Sequence, residues 1–376
     1  LHELNSAFYA GVESAGLLMK VLIFSPPPPK RVEGIKSFGA VWAYYLPSEL
    51  EKLGAEVVRL DSLRPTPEMM AKTNRSRTKK QLIQYHEDLD ITGIDHILGL
   101  GIRYWSFLPA ECGEALRKRL GRYQSMAQIH DSTLLDRTPA DVTFALKDRS
   151  SEYPPGGTDN GFELYQRHTC LVGWAADSEL CQPNQPEDEL RILVDHPTFT
   201  HTSTDVTLSI LLNLRELVQK PELWIDRFKT IRIRQFVDNG VVDVDVTGEL
   251  VVKPYTRKGI PYVEACKEYS QAHIFMVTHS ESVGQTVIET ATAGALVVAP
   301  NGFIAADRLA TVRHHQWSRL IPWDKVLPQI DVQASRSVAL QNSWTDIAKR
   351  MIDYFENFDR AELGWPEPEK PLSSRQ

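Results

Sequence analysis

Two glutamates, Glu281 and Glu289, stand with seven residues between them on either side of a helix start. The apolar run His273 to Val277 reads as a buried strand and Ala295 to Ala299 as a second. The piece between is therefore a strand-loop-helix-strand crossover whose helix begins near Gly284. The free N–H groups and positive dipole end of such a helix attract an anion. With the amides of Val283, Gly284, Gln285 and Thr286 holding a phosphate, each carboxylate can accept from a pair of sugar hydroxyls. A phosphate-linked sugar fits that arrangement. Taken singly, Glu281 is equally a solvated loop acid and Glu289 an ordinary helix-face acid.

The wider run Glu281-Ser282-x-Gly284-x-x-x-x-Glu289-x-x-x-x-Gly294-x-x-Val297-Val298 resembles the donor-site signature of the retaining GT-B glycosyltransferases related to the glycogen and sucrose synthases. The resemblance implies an α/β GT-B fold, two Rossmann-like doubly wound domains facing across a cleft. It also implies transfer of a hexose from a nucleotide-diphosphate sugar, such as UDP-glucose, to a hydroxyl acceptor, with neither metal nor cofactor. By position it places Glu281 on the transferred sugar, Glu289 on the ribose hydroxyls, Val283 to Thr286 on the diphosphate and His130 on the sugar or acceptor.

The elements that must position these groups need a long chain, and 376 residues exceed what one core usually serves. Expected boundaries are an extension over 1–18, an acceptor domain over 19–182, a donor domain over 183–345, and over 346–376 a helix returning to the first domain plus a loose tail. Met19-Lys20 reads as a natural start. Acids outnumber bases, 49 to 42, for a net charge of −7, which argues against a nucleic-acid partner. The four cysteines form no CxxC pair, so neither a zinc site nor a disulfide framework is expected. No apolar run approaches a membrane span and no signal peptide is visible, which suggests a cytoplasmic protein.

In chain order, Val21 to Ser25 is a strand stopped by Pro26-Pro27-Pro28-Pro29. Gly34 and Gly39 lie in the loop before the next helix and resemble the family's donor-facing glycines, though turn glycines serve as well. Lys72, Arg75, Arg77, Lys79 and Lys80 read as a solvated helix face or as a grip on an anionic acceptor. Tyr123 to Ile129 is a strand with His130-Asp131 at its carboxyl end, where ligands gather in open α/β sheets. That His can polarise a sugar hydroxyl or simply be structural. The resemblance favours the first.

After the segment Gly173 to Pro183, which resembles the family's exit from the first domain, Leu190 to Asp195 opens the second. Relatives carry an arginine and a lysine after this strand. Here Asp195-His196-Pro197-Thr198-Phe199-Thr200-His201-Thr202-Ser203 stands instead, so Thr202, Ser203 and the following helix start become neutral phosphate donors or a plain cap. Leu208, Leu211, Leu212, Leu214 and Leu217 read as the buried face of that helix. Glu249 to Val252 reads as a strand, with Lys253 and Tyr255 beyond it positioned to meet phosphate and stack on a nucleobase or to form an exposed turn. His314 and His315 read as part of a helix, on different faces and therefore a poor metal site.

Three other functions use the same residues: a transferase acting on a modified base in DNA through the basic cluster, a nucleotide-sugar-binding protein without turnover, and a nucleotide-sugar epimerase. Oligomeric state leaves no trace in the sequence.

Overall fold

The computed structural model describes residues 19–25, 30–35, 38–61, 76–102, 108–130, 140–146, 169–196, 201–250, 252, 260–279, 284–304 and 309–362. In the first part of the chain the order is β1 (Lys20–Ser25), α1 (Phe38–Lys52), β2 (Glu56–Asp61), α2 (Ser76–Asp88), β3 (His96–Ile102), α3 (Ala110–Arg117), β4 (Ser125–His130), β5 (Val142–Ala145) and β6 (Thr169–Leu171). The second part runs β7 (Glu189–Val194), α4 (His201–Gln219), β8 (Thr230–Val237), β9 (Gly240–Asp243), α5 (Tyr262–Gln271), β10 (Ile274–Met276), α6 (Gln285–Thr292), β11 (Leu296–Pro300), β12 (His314–Trp317), α7 (Trp323–Val326), α8 (Val332–Ala339) and α9 (Trp344–Glu356).

Each part builds one six-stranded sheet, in the order β2-β1-β3-β4-β5-β6 and β12-β11-β10-β7-β8-β9. Among the described pairs only β8 and β9 run antiparallel. Parallel strands linked by helices are covered on both faces, so alternate residues must feed two different cores. Val21 and Ile23 face one apolar cluster while Leu22 and Phe24 face another. In the second sheet Phe275 and Val297 point one way, Ile274, Met276, Leu296 and Val298 the other. One cluster joins the inner faces of both sheets through Trp174, Ala175 and Cys181.

α9 starts with a capping box, Ser343 and Asp346 bonding each other's backbone N–H. Its Trp344 meets Trp42 of α1 edge-on at 4.8 Å and stacks on Tyr45 at 5.3 Å, and Phe355 stacks on His96 at 4.3 Å. These are contacts with the first sheet's layer, made by a helix that follows the second sheet.

Three expectations require correction. His314 and His315 lie on β12, an edge strand that satisfies the open side of β11; pairing that edge outweighs local helix preference. Glu249 and Leu250 have no regular structure, because Arg215 of α4 holds the carbonyls of Val246 and Gly248 and pulls this stretch off the sheet. The strand beside β8 is β9 instead, reached through Asn239 at φ 61°, an Asn-Gly hairpin signal. On α4, Ile210, Leu211, Leu214 and Leu217 are buried, but Leu208 and Leu212 are exposed, lying outside the buried arc.

Candidate active site at the second sheet

In the second sheet the chain leaves β7 toward β8 and β9, then returns to the opposite side with β10. β7 and β10 are neighbours, so their carboxyl ends flank the point where strand order reverses, the crevice in which open α/β sheets bind ligands.

From β10 the chain passes to α6. Gly284 caps that helix with φ 68°, a left-handed conformation that glycine adopts without cost. Its missing side chain is also required sterically: a Cβ there would stand 2.2 Å from the Trp174 ring. Gln285 donates from one amide nitrogen to Ala175 O at 3.0 Å and to Glu289 Oε1 at 2.8 Å, so it bridges Glu289 to the segment after β6. Glu289 is only 3% exposed and is therefore not a solvated helix-face acid. Burial, and next the Glu289 carboxylate, push the Tyr262 phenol far above its ordinary range. Cys181 lies 3.7 Å from Cys266, and its thiol is raised by that contact, by burial and by Glu289.

A second group at the same edge escaped the sequence reading. Asp195, at the end of β7, is fully buried and accepts both the backbone N–H of His196 at 2.8 Å and its ring Nδ1 at 2.9 Å. Across the strand boundary, His279 Nδ1 stands 3.7 Å from the other Asp195 oxygen, and the two imidazoles are 5.0 Å apart. Burial by itself would raise the Asp195 carboxyl; the charges and N–H bonds of His196 with the nearby His279 outweigh it and hold the group below its ordinary value. Thr278 ties the two loops together, its hydroxyl donating to His196 O at 2.6 Å. The signal for this cluster was in the sequence as Asp195-His196, but its third member lies beyond another strand.

Of the other predicted residues, Ser203 is buried and its hydroxyl donates to Thr278 O at 3.2 Å, locking α4 to the end of β10. Gly34 falls in a short 3-10 turn and Gly39 in the first turn of α1. His130 ends β4 and Thr202 is the second residue of α4; their side chains lie outside the described residues, as do Asp131, Lys253, Tyr255, Glu281 and Val283. In the basic cluster, Lys72 and Arg75 also lie outside, while Lys79 pairs with Glu111 of α3 at 2.5 Å. Among the described residues no cluster of His, Cys, Asp and Glu could hold a metal ion, and no helix is long and apolar enough to cross a membrane.

No protein-family model and no curated protein matches the chain. Solved structures do. A UDP-forming α,α-trehalose-phosphate synthase from Burkholderia xenovorans aligns with a TM-score of 0.52 over 91% of this chain and 99% of that one, at 9% identity. Sucrose-phosphate synthase from Thermosynechococcus elongatus aligns with a TM-score of 0.50 over 90% and 98%, at 13% identity. The fold is GT-B. Both alignments run nearly end to end, and the two mostly parallel six-stranded sheets with their flanking helices fit that fold. At such identity the likeness extends to architecture and leaves the chemistry to the residues.

Proposed function

We propose that this protein is a retaining glycosyltransferase that moves a hexose from a nucleotide-diphosphate sugar to a hydroxyl acceptor. The observation that carries the reading is the start of α6: a left-handed Gly284 opens a helix at the reversal point of the second sheet, with a buried carboxylate, Glu289, just inside it. In support, one structure of the same fold is described as UDP-forming.

Departure of a diphosphate from an oxocarbenium-like centre needs preorganised positive potential. In this reading the amides of Val283 to Thr286 face the diphosphate, Glu281 holds the transferred sugar, and Glu289 takes the ribose hydroxyls. His130 and Asp131 polarise the sugar or acceptor from the first sheet, where Gly34 and Gly39 border the cleft. Lys253 and Tyr255 meet phosphate and base. The helix end takes the place of a metal ion. For a ribose to reach Glu289, the Gln285 bridge to Ala175 must open, so donor binding is coupled to the packing of the Trp174 segment. The four cysteines are free thiols, as befits a cytoplasmic reaction.

A thermal-shift panel of nucleoside diphosphates and their sugars tests the reading, because a ligand at a hundred times its Kd adds about 2.7 kcal/mol. Transfer is then assayed with the best donor, and the anomeric configuration of the product is read by NMR. The expected result is transfer with retention, abolished by Glu281→Ala. Absence of any nucleotide-dependent shift, or turnover untouched by that substitution, sinks it.

A further inference from the structure

A diphosphate carries at least two negative charges, and a helix end offsets only about half of one. Cationic side chains, Lys253 in the reading above among them, offset the remainder most strongly. Among the described residues at the carboxyl ends of β7 and β10 and in the first turns of α4 and α6, there is no lysine or arginine. There are three histidines: His196 and His279, whose rings are described, and His201, which opens α4 and whose side chain lies outside the described residues.

The two described rings turn the same edge inward. His196 Nδ1 lies 2.9 Å and His279 Nδ1 3.7 Å from the two oxygens of one buried carboxylate, Asp195. An imidazole held at Nδ1 directs Nε2 to the opposite side of the ring, and a carboxylate partner fixes that orientation. The rings keep 27% and 15% of their side-chain surface exposed, against 1% for Asp195. The carboxylate is thus sealed while each ring keeps part of its surface accessible. The Thr278 hydroxyl, 2.6 Å from His196 O and 3.3 Å from His279 Nδ1, holds the loops in register.

We propose that His196 and His279, oriented by Asp195, form a cationic clamp for the diphosphate of the donor. This rests on the nucleotide-sugar reading above and adds two groups, beside Lys253, that neutralise the leaving group. Because histidine changes charge between about pH 5 and 8, such a clamp strengthens as pH falls and is lost as pH rises, unlike one built from arginine. Ionisable groups at this end of the surrounding elements include Asp195 just after β7, His201 and Asp205 on α4, Glu289 on α6 and Tyr269 on α5. The Tyr269 phenol is held well above its ordinary value by burial and then by Glu289, and so stays neutral throughout.

The test is calorimetric titration of UDP-, GDP-, ADP- and TDP-glucose into the full chain from pH 5.5 to 8.5. In these sugar diphosphates both phosphates are diesters, so the ligand's own charge stays constant. The best binder is followed in the wild type, His196→Gln, His279→Gln and His279→Lys, with melting temperatures recorded alongside. Expected are an affinity about tenfold weaker at pH 8 than at pH 6, or about 1.4 kcal/mol, a similar loss at pH 6 in each Gln variant, and binding in His279→Lys that holds up at pH 8. The matching free nucleoside should bind alike in all four proteins. Sugar-nucleotide binding that ignores both pH and the Gln substitutions overturns the clamp and leaves the transferase reading standing. A Gln variant that loses affinity only with its fold, with no recovery in His279→Lys, also overturns it. Absence of binding by all four donors at every pH overturns both.

Discussion

The indole of Trp174 fills the space that a side chain on Gly284 would need. A Cβ at that glycine would come within 2.2 Å of the ring, and the backbone there is left-handed at φ 68°. The contact joins the segment following the first sheet to the helix that the second sheet points at the cleft.

Gly284→Ala is therefore expected to cost about 1–2 kcal/mol for the backbone and about 1–3 kcal/mol more for overpacking. Paired with Trp174→Ala, the second part should disappear and the first remain. Urea unfolding of the two single variants and the double variant measures this coupling; strict additivity would show that the ring is not what restricts position 284.

Glu289→Gln keeps the shape of the side chain and its place beside Gln285 while removing the charge that would accept ribose hydroxyls. Donor affinity should fall about 30-fold, equivalent to about 2 kcal/mol. Calorimetric titration beside a melting curve separates the possibilities: a lower melting temperature with unaltered affinity would make Glu289 a packing residue.

Arg360, 3% exposed, donates to Leu120 O, Gln124 O and the buried Asp141, whose other oxygen faces Arg117 at 3.1 Å. This fastens the chain beyond α9 to the first sheet. Arg360→Met leaves a buried carboxylate short of one partner and two carbonyls bare, for a loss of about 3–5 kcal/mol. Chemical denaturation checks it, and a loss below about 1 kcal/mol would place that segment outside the cooperative fold.

Burial lowers the imidazole of His96 to about 3 and that of His273 to about 4, the latter with help from Arg227 and Arg191. Both values lie below the ordinary 6.5, so the unfolded chain binds more protons in between. Their stabilisation is complete above about pH 6.5 and is lost as pH falls through the folded values, at about 1.4 kcal/mol per pH unit for each histidine. His273 Nδ1 accepts from Arg191 N at 3.2 Å, a role an asparagine oxygen can take over. His273→Asn should thus remove one proton from the slope between pH 6.5 and 4, measured by denaturant unfolding at pH 7, 6 and 5.

Strands β1, β3, β7, β10 and β11 were legible because doubly covered strands are short continuous apolar runs, and α9 because its apolar face repeats at helical spacing. β12 was not, since four residues at a sheet edge carry little pattern of their own. The start of α6 was legible to within a residue, since a helix was expected to begin near Gly284 and begins at Gln285; that this glycine is required by its dihedral and by the Trp174 ring was not. The burial of Glu289 was not, because it depends on Gln285 reaching back to Ala175, which is remote in sequence.

What the sequence by itself determined is local: alternating apolar runs, proline and glycine stops, and the spacing of two glutamates about a helix start, all consequences of backbone sterics and periodicity. What only the tertiary structure decided is which ends of which strands meet. Asp195 and His279 are separated by three strands and two helices, and they become neighbours because β10 returns to the side of β7 opposite β8. That strand order is set by long-range burial of both sheet faces. No short window of residues encodes it.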